Sequence, residues 1–348
     1  MIEPEKILII RLSSIGDVLL ATPLIRILRK RFPGSKIDFV IKEQFKELIS
    51  LHPYLDTIYT YQKEATDNSL KEIKQRIKAQ KYDVIFDIHK NFRSHYLRTG
   101  SKAEHIYKFK KFIFKRWLLV HLKIDLYKRI IPVYQRYIDS GRKLGIEYDE
   151  QGLDIFIPDS IRNTINNAWD KIPGSKDDLV IGIAPGASLM TKRWPVEGFR
   201  TIIEQLLETY PQARILLFGD KNDQAITREL MSNENSRIFD VAGKYSLLET
   251  AALLDYCDLV VTNDTGLMHL ASALKKKVVA IFGSTTEQLG FFPCNKEAIV
   301  IQNNKLKCRP CSHVGRQECP KKHFKCMLEI SDADVLKAIY LLINSGGD

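Results

Sequence analysis

Residues 258–285 read DLVVTNDTGLMHLASALKKKVVAIFGST, two apolar runs separated by a polar turn and an amphipathic stretch. Residues 259–262 have the short, β-branched character of a strand buried on both faces, and 278–282 repeat it. Between them, 265–274 space their apolar side chains for a helix. Strand, helix and strand in that order close a right-handed parallel crossover, which calls for a parallel sheet with helices on its faces. In such sheets ligands bind where strands end and helices begin, and this singles out the turn Asn263-Asp264-Thr265-Gly266.

The same alternation extends in both directions. Toward the N-terminus of this half, 179–184 and 214–218 read as strands, and 196–210 and 247–256 as helices. The first half restarts the pattern, with strands at 6–11, 37–41, 57–61 and 84–87 and helices at 18–32, 44–51 and 69–79. Pro33-Gly34 stops the first of these helices. A charged, Pro/Gly-punctuated segment at 170–178 reads as the linker, and 332–344 as a final helix capped by Ser331 or Asp332. A chain of 348 residues exceeds one ordinary core and suits two domains. Two doubly wound domains facing each other across a cleft is the simplest architecture.

Composition sets the class. An apolar fraction of 45% with 27% charged residues is that of a globular protein rather than a disordered or fibrous one. No run approaches the ~18 apolar residues of a spanning helix, and residues 1–6 carry no cationic leader, so the expected compartment is the cytoplasm. The balance of 53 Lys+Arg against 42 Asp+Glu points to an anionic partner without choosing among nucleic acid, lipid and nucleotide.

Three polar loops at strand ends are candidates for chemistry. The loop 11–17, RLSSIGD, exposes hydroxyls, a glycine and a carboxylate. Asp17 is either a general base or, with Ser14, a helix cap. The loop 184–195, APGASLMTKRWP, delivers Lys192 and Arg193, which either pair with phosphate oxygens or are solvated surface cations. In the turn 262–269, Thr265 and Gly266 open a helix whose N–H groups suit a diphosphate, and Gly266 allows close backbone approach. Asp264 suits sugar hydroxyls; the alternative is that Asp264 or Thr265 caps and His269 is a structural histidine. No Walker lysine context and no Gly-x-Gly-x-x-Gly occurs, which disfavours P-loop NTPases and standard NAD-binding domains. Taken together, a diphosphate site in one half and a carboxylate in the other suit attack of an activated hydroxyl on an anomeric carbon.

The stretches ILIIRLSSIGDVLLATPLIRILR (7–29), YDVIFDIHKNFRS (82–94), IGIAPGASLMTKRWP (181–195) and 258–285 resemble glycosyltransferase family 9, the heptosyltransferases of lipopolysaccharide inner-core synthesis, and are nearer the heptosyltransferase II side. The most specific elements are the S-x-G-D loop and the D-T-G-x-x-H turn in this order. The resemblance implies an α/β GT-B fold: an N-terminal acceptor-binding Rossmann-like domain at 1–172, a C-terminal nucleotide-sugar-binding one at 173–330, and a helix at 331–348 packing back on the N-terminal domain. It implies inverting, metal-independent transfer of heptose from ADP-L-glycero-D-manno-heptose to the lipopolysaccharide core and lipid A acceptor, with no required cofactor. It places the general base at Asp17 and the donor contacts at Ser188, Lys192, Asp264, Thr265, Gly266 and His269. The acceptor side falls at Ser14, Gly16, Asn91 and Arg93. One departure is His89-Lys90-Asn91, where relatives more often show Gln-Gly-Asn. Asp332-Ala333-Asp334 has the letters of a metal-binding Asp-x-Asp but reads better as a helix start.

Two features stand outside these loops. Between 102 and 129 there are nine Lys/Arg against Glu104 and Asp125, interleaved with aromatic and aliphatic residues. This suits docking on an anionic membrane surface, here the inner leaflet, and implies a peripheral protein on the cytoplasmic face of the inner membrane; a solvated face is the alternative. Cys308, Cys311, Cys319 and Cys326 follow C-x2-C-x7-C-x6-C, which offers a structural zinc site or free thiols. A basic, zinc-bearing nucleic-acid-binding protein explains the charge and the cysteines but leaves the strand-end loops unexplained, so no nucleic-acid partner is expected. Transfer of another sugar, or epimerisation of a sugar nucleotide, would use the same architecture.

Overall fold

The computed structural model describes residues 2–62, 68–170, 172–175, 177–231 and 235–345. The chain divides into two compact units, one of Met1–Lys111 with Ile131–Phe156, the other of Phe112–Ile130 with Ile157–Asp348.

The first unit is built on β1 (Lys6–Ile10), β2 (Lys36–Lys42), β3 (Thr57–Tyr61), β4 (Val84–Asp87) and β5 (His105–Lys108). They form a parallel sheet in the order β3-β2-β1-β4-β5. β1, β2 and β4 are buried along most of their length, as their continuous apolar runs require of strands covered on both faces. On one face Leu8, Ile10, Val40 and Ile85 pack with Ile73 and Ile77 of the helix Asn68–Gln80. The helix expected over 18–32 is two helices, Ile15–Leu19 and Thr22–Arg31. Pro23 stands at the start of the second, where its missing N–H costs nothing. The helix expected at 44–51 is a tighter 3₁₀ turn, Glu43–Leu48.

The second unit carries β6 (Val180–Ala184), β7 (Arg214–Leu217), β8 (Ile238–Asp240), β9 (Leu259–Asn263), β10 (Lys277–Phe282) and β11 (Ala298–Gln302). Their order is β11-β10-β9-β6-β7-β8, again all parallel. The expected helices are found at Val196–Thr209, Leu247–Asp255 and Gly266–Ala273. The last two flank β9, so the quoted stretch lies at the centre of the sheet.

Three expectations about organisation are corrected. The chain passes into the second unit at Phe156/Ile157 rather than at 172/173, because the helix Asp159–Trp169 is bound to the helix Leu247–Asp255. Trp169 stacks on Tyr256 at 4.3 Å, and Arg162 pairs with Asp255 at 2.8 Å. Residues Phe112–Ile130 join the second unit too, where Lys123 Nζ donates to the Pro310 carbonyl at 2.7 Å and Gln288 donates to Asp125 at 3.0 Å. The C-terminal helix Asp332–Asn344 belongs to the second unit and its core. Its Val335, Ile339 and Leu342 are buried in the core of the second unit, and Lys277 Nζ donates to the Leu342 carbonyl at 2.7 Å. Ser331 caps this helix, accepting from the Asp334 N–H at 3.1 Å. Among the described residues no helix is long and apolar enough to cross a membrane.

Candidate active site

In the first unit the site begins where β1 ends. The register sets Ile10 beside Val40 and Asp87, so Arg11 emerges against the end of β4. Arg11 is buried and donates to the Ile88 carbonyl and to the Ser13 carbonyl, each at 2.8 Å. Its remaining nitrogen meets the Asp17 carboxylate at 2.5 Å. Burial alone would lower the Arg11 pKa, but Asp17 raises it net. Asp17 also accepts from the Tyr137 hydroxyl at 3.2 Å and the Ser14 hydroxyl at 3.3 Å. Ser14 occupies the cap position of the helix Ile15–Leu19 yet makes no side-chain cap bond. The carboxylate thus sits in an ion-paired pocket, not on the helix N–H groups. Tyr137, fully buried, is held well above the ordinary phenol range by burial and stays a donor.

The remaining first-unit candidates divide. Gly16 is buried within the same short helix. Asn91 is a helix cap: its Oδ1 accepts from the Ser94 N–H at 2.9 Å, and Ser94 Oγ accepts from the Asn91 N–H at 2.9 Å. Arg93 is exposed on the helix that Asn91 starts, Phe92–Arg98. His89 follows β4 and interacts electrostatically with Arg11 and Asp17; burial first, then Arg11, lowers its pKa to about 4, so it is neutral at pH 7.

In the second unit the turn after β9 is organised by Asn263. Its amide donates to the Pro185 carbonyl at 2.8 Å and accepts from the Trp194 N–H at 3.1 Å, which binds the loop 185–194 to the turn. Asp264, nearly buried, pairs with Lys192 Nζ at 2.7 Å and accepts from the Thr285 hydroxyl at 2.7 Å. Thr265 stands at the cap position of the helix Gly266–Ala273 but supplies no side-chain cap bond. Neither Asp264 nor Thr265 therefore satisfies the first N–H groups of that helix, which remain available to an anion. His269 is buried one turn further on. Ser188 is exposed, and its carbonyl accepts from Gln317 at 3.2 Å. Arg193 turns aside to the Ala187 carbonyl at 2.5 Å, with Asp223 at 3.7 Å.

Arg11, Tyr137 and Thr285 carry much of this geometry and were not singled out in the sequence. Arg11 has a local signal, a cation closing a buried strand, whereas Tyr137 arrives from 120 positions away. The cysteine segment is bound to the same unit. Cys326 lies in its apolar core beside Met327 and Ile330, and burial pushes its thiol up to about 12. Cys308 Sγ lies 3.8 Å from His323 Nε2. Among the described residues no group of three or more His, Cys, Asp or Glu side chains is placed to hold a metal ion.

Residues 70–322 match glycosyltransferase family 9 (heptosyltransferase). The chain is 26% identical over 341 residues to the lipooligosaccharide heptosyltransferase 2 of Campylobacter jejuni, covering 95% of this chain and 96% of that one. Among solved structures it resembles a family 9 glycosyl transferase from Veillonella parvula, with a TM-score of 0.80 at 24% identity over 98% of both chains. It also resembles the E. coli ADP-heptose lps heptosyltransferase II, with a TM-score of 0.73 at 21% identity over 99% of this chain and 100% of that one.

Proposed function

The chain belongs to glycosyltransferase family 9, the heptosyltransferases, and has their α/β GT-B fold; from that premise we propose that it moves heptose from ADP-L-glycero-D-manno-heptose to the lipopolysaccharide inner core. The transfer is an inverting, metal-independent displacement. Asp17 removes the proton of the attacking acceptor hydroxyl, and the C1–O bond to the diphosphate breaks as the new glycosidic bond forms, releasing ADP. Arg11 and Tyr137 fix the carboxylate for this task, Arg11 holding one oxygen and the Tyr137 hydroxyl the other. The negative charge that grows on ADP is met by Lys192 and by the N–H groups at Thr265 and Gly266. His269 and Ser188 complete the donor side, and Ser14, Gly16 and Arg93 belong to the acceptor side. Asn91 contributes there through the helix that it caps.

The observation that carries the reading is the Lys192–Asp264 pair beside an uncapped helix start. An ammonium already paired with a carboxylate exchanges it for phosphate oxygens at little desolvation cost, because it was partly dehydrated beforehand. The acceptor is a lipid-linked saccharide, so the protein works on the cytoplasmic face of the inner membrane as a peripheral protein. The helix Ile113–Leu122 supports this part: Phe114 is 69% exposed and Trp117 49%, among lysines and arginines that suit an anionic leaflet.

The deciding assay supplies ADP-heptose with truncated core acceptors and follows ADP release and product mass. A parallel thermal-shift series with ADP, UDP, GDP and a short DNA duplex gives ADP the largest stabilisation. A UDP preference rejects heptose as the sugar, and stabilisation by the duplex alone rejects the transferase reading.

A further inference from the structure

Arg309 is buried, with 8% of its surface exposed, yet among the described residues only cysteine thiols, and no carboxylate, act electrostatically on it. A guanidinium out of water needs its five N–H donors filled, and here main-chain carbonyls fill most of them. Three belong to one stretch, the last residue of β10 and the turn that follows it. Arg309 donates to Gly283 through Nε, and through one terminal nitrogen to Thr285 at 2.7 Å and to Phe282 at 3.4 Å. The remaining bonds go to the Gln302 side chain at 2.8 Å and the Asn303 carbonyl at 2.6 Å. One side chain thus sets the path of residues 282–285.

That loop is the wall of the donor pocket described above. The Thr285 hydroxyl is the second partner of Asp264, whose other partner is Lys192. The Ser284 hydroxyl accepts from Thr191 at 3.0 Å, the residue before Lys192. The loop has no slack elsewhere, because a Cβ on Gly283 would lie 2.8 Å from the Thr191 carbonyl. Two main-chain bonds of the cysteine segment beside Arg309 reach the same loop and its partner Thr191: the Cys311 N–H donates to the Ser284 carbonyl at 3.1 Å, and the Thr191 hydroxyl accepts from the Arg316 N–H at 2.8 Å.

We propose that Arg309 is a positioning residue for the donor, holding Thr285 so that Asp264 and Lys192 keep the geometry in which the diphosphate is bound. The proposal rests on the donor reading of that pocket. Arg309 touches no reacting atom; it acts through the Thr285–Asp264 hydrogen bond. Lysine cannot replace it, since a point charge on a flexible stem cannot span three carbonyls as the planar fork does.

The test is a double-mutant cycle on ADP affinity, measured calorimetrically with Arg309→Lys, Thr285→Val and the double variant of the full chain. Each single change weakens ADP binding roughly tenfold, and the double variant is no more than about twofold worse than either, because both cut the same path. In turnover the donor KM rises with the affinity loss while the acceptor KM stays unchanged, a split that general loosening of the fold would not produce. Wild-type affinity in Thr285→Val overturns the proposal, and so does full additivity, or an unaltered Kd in Arg309→Lys. Should Arg309→Lys fail to fold, Thr285→Val, which leaves the arginine in place, still decides the matter. Wild-type protein that binds no ADP at all instead overturns the donor reading on which the proposal stands.

Discussion

Asp17 and Lys192 each lean on an oppositely charged neighbour, and the neighbours determine what their removal does. Asp17→Asn keeps an oxygen for Tyr137 but strips Arg11 of its anion and, on the proposed mechanism, the acceptor of its base. Turnover falls about 10²- to 10⁴-fold, ADP affinity is unchanged, and melting drops because a buried guanidinium is left uncompensated. Calorimetry beside steady-state rates checks this, and retained turnover would leave Asp17 a purely structural partner of Arg11. Lys192→Ala acts differently: it weakens ADP binding and slows transfer together, since a phosphate contact tightens as the leaving charge develops. Asp17, Lys192 and Asp264 were legible in the sequence because each lies in a polar loop between an apolar strand and a helix. Whether such a carboxylate caps or pairs was not legible. Its partners Arg11 and Thr285 follow strands, and the arrival of Tyr137 from the helix Val133–Asp139 leaves no periodic trace.

At the scale of elements, central strands announced themselves, and of the four edge strands only β3 did, through its β-branched and aromatic run Thr57–Tyr61. β1, β4, β6, β9 and β10 are continuous apolar runs, as burial on both faces demands. The other edge strands, β5, β8 and β11, bury little and carry no continuous apolar signal across their full length. The helix Ile113–Leu122 was legible only as composition. In the structure, Leu119 is its sole buried residue among those described, while Ile113, Phe114, Trp117 and Leu122 are exposed. A helix that turns its largest apolar side chains outward lacks the core that would hold it, unless a lipid surface covers it. Replacing Phe114 and Trp117 together with Ser abolishes flotation with phosphatidylglycerol vesicles and leaves ADP affinity as in wild type. Neutral phosphatidylcholine vesicles bind neither protein, since the lysines and arginines contribute only at an anionic surface. Equal flotation of the variant would reduce the strip to a solvated face.

At the scale of the whole chain, composition and the repeated strand–helix order indicated two parallel sheets, but not where the backbone leaves one unit for the other. That depends on which partners a segment finds: Trp169 on Tyr256, Lys123 on the Pro310 carbonyl and Leu342 in the core of the second unit are non-local contacts with no signature in a window of sequence. The same kind of contact makes the first unit sensitive to acid. His52 is packed edge-on against Phe156 at 4.9 Å, and burial, then the charge of Arg26, lowers its pKa to about 3. In the unfolded chain its pKa is near 6.5, so between pH 6.5 and about 3 the unfolded state binds a proton that the folded state refuses. The stabilisation from neutral His52 is therefore complete above pH 6.5 and is lost as pH falls, with a slope of up to about 1.4 kcal/mol per pH unit from this one group. His89, lowered to about 4, adds in the same direction. Melting followed from pH 7 to pH 4 should show the temperature midpoint falling with acidification. His52→Asn, which carries no titratable ring, should be less stable at pH 7 but should fall less steeply, so the two curves converge toward pH 4. Parallel curves would mean that His52 already takes up its proton in the folded protein, and that its packing against Phe156 tolerates the charge.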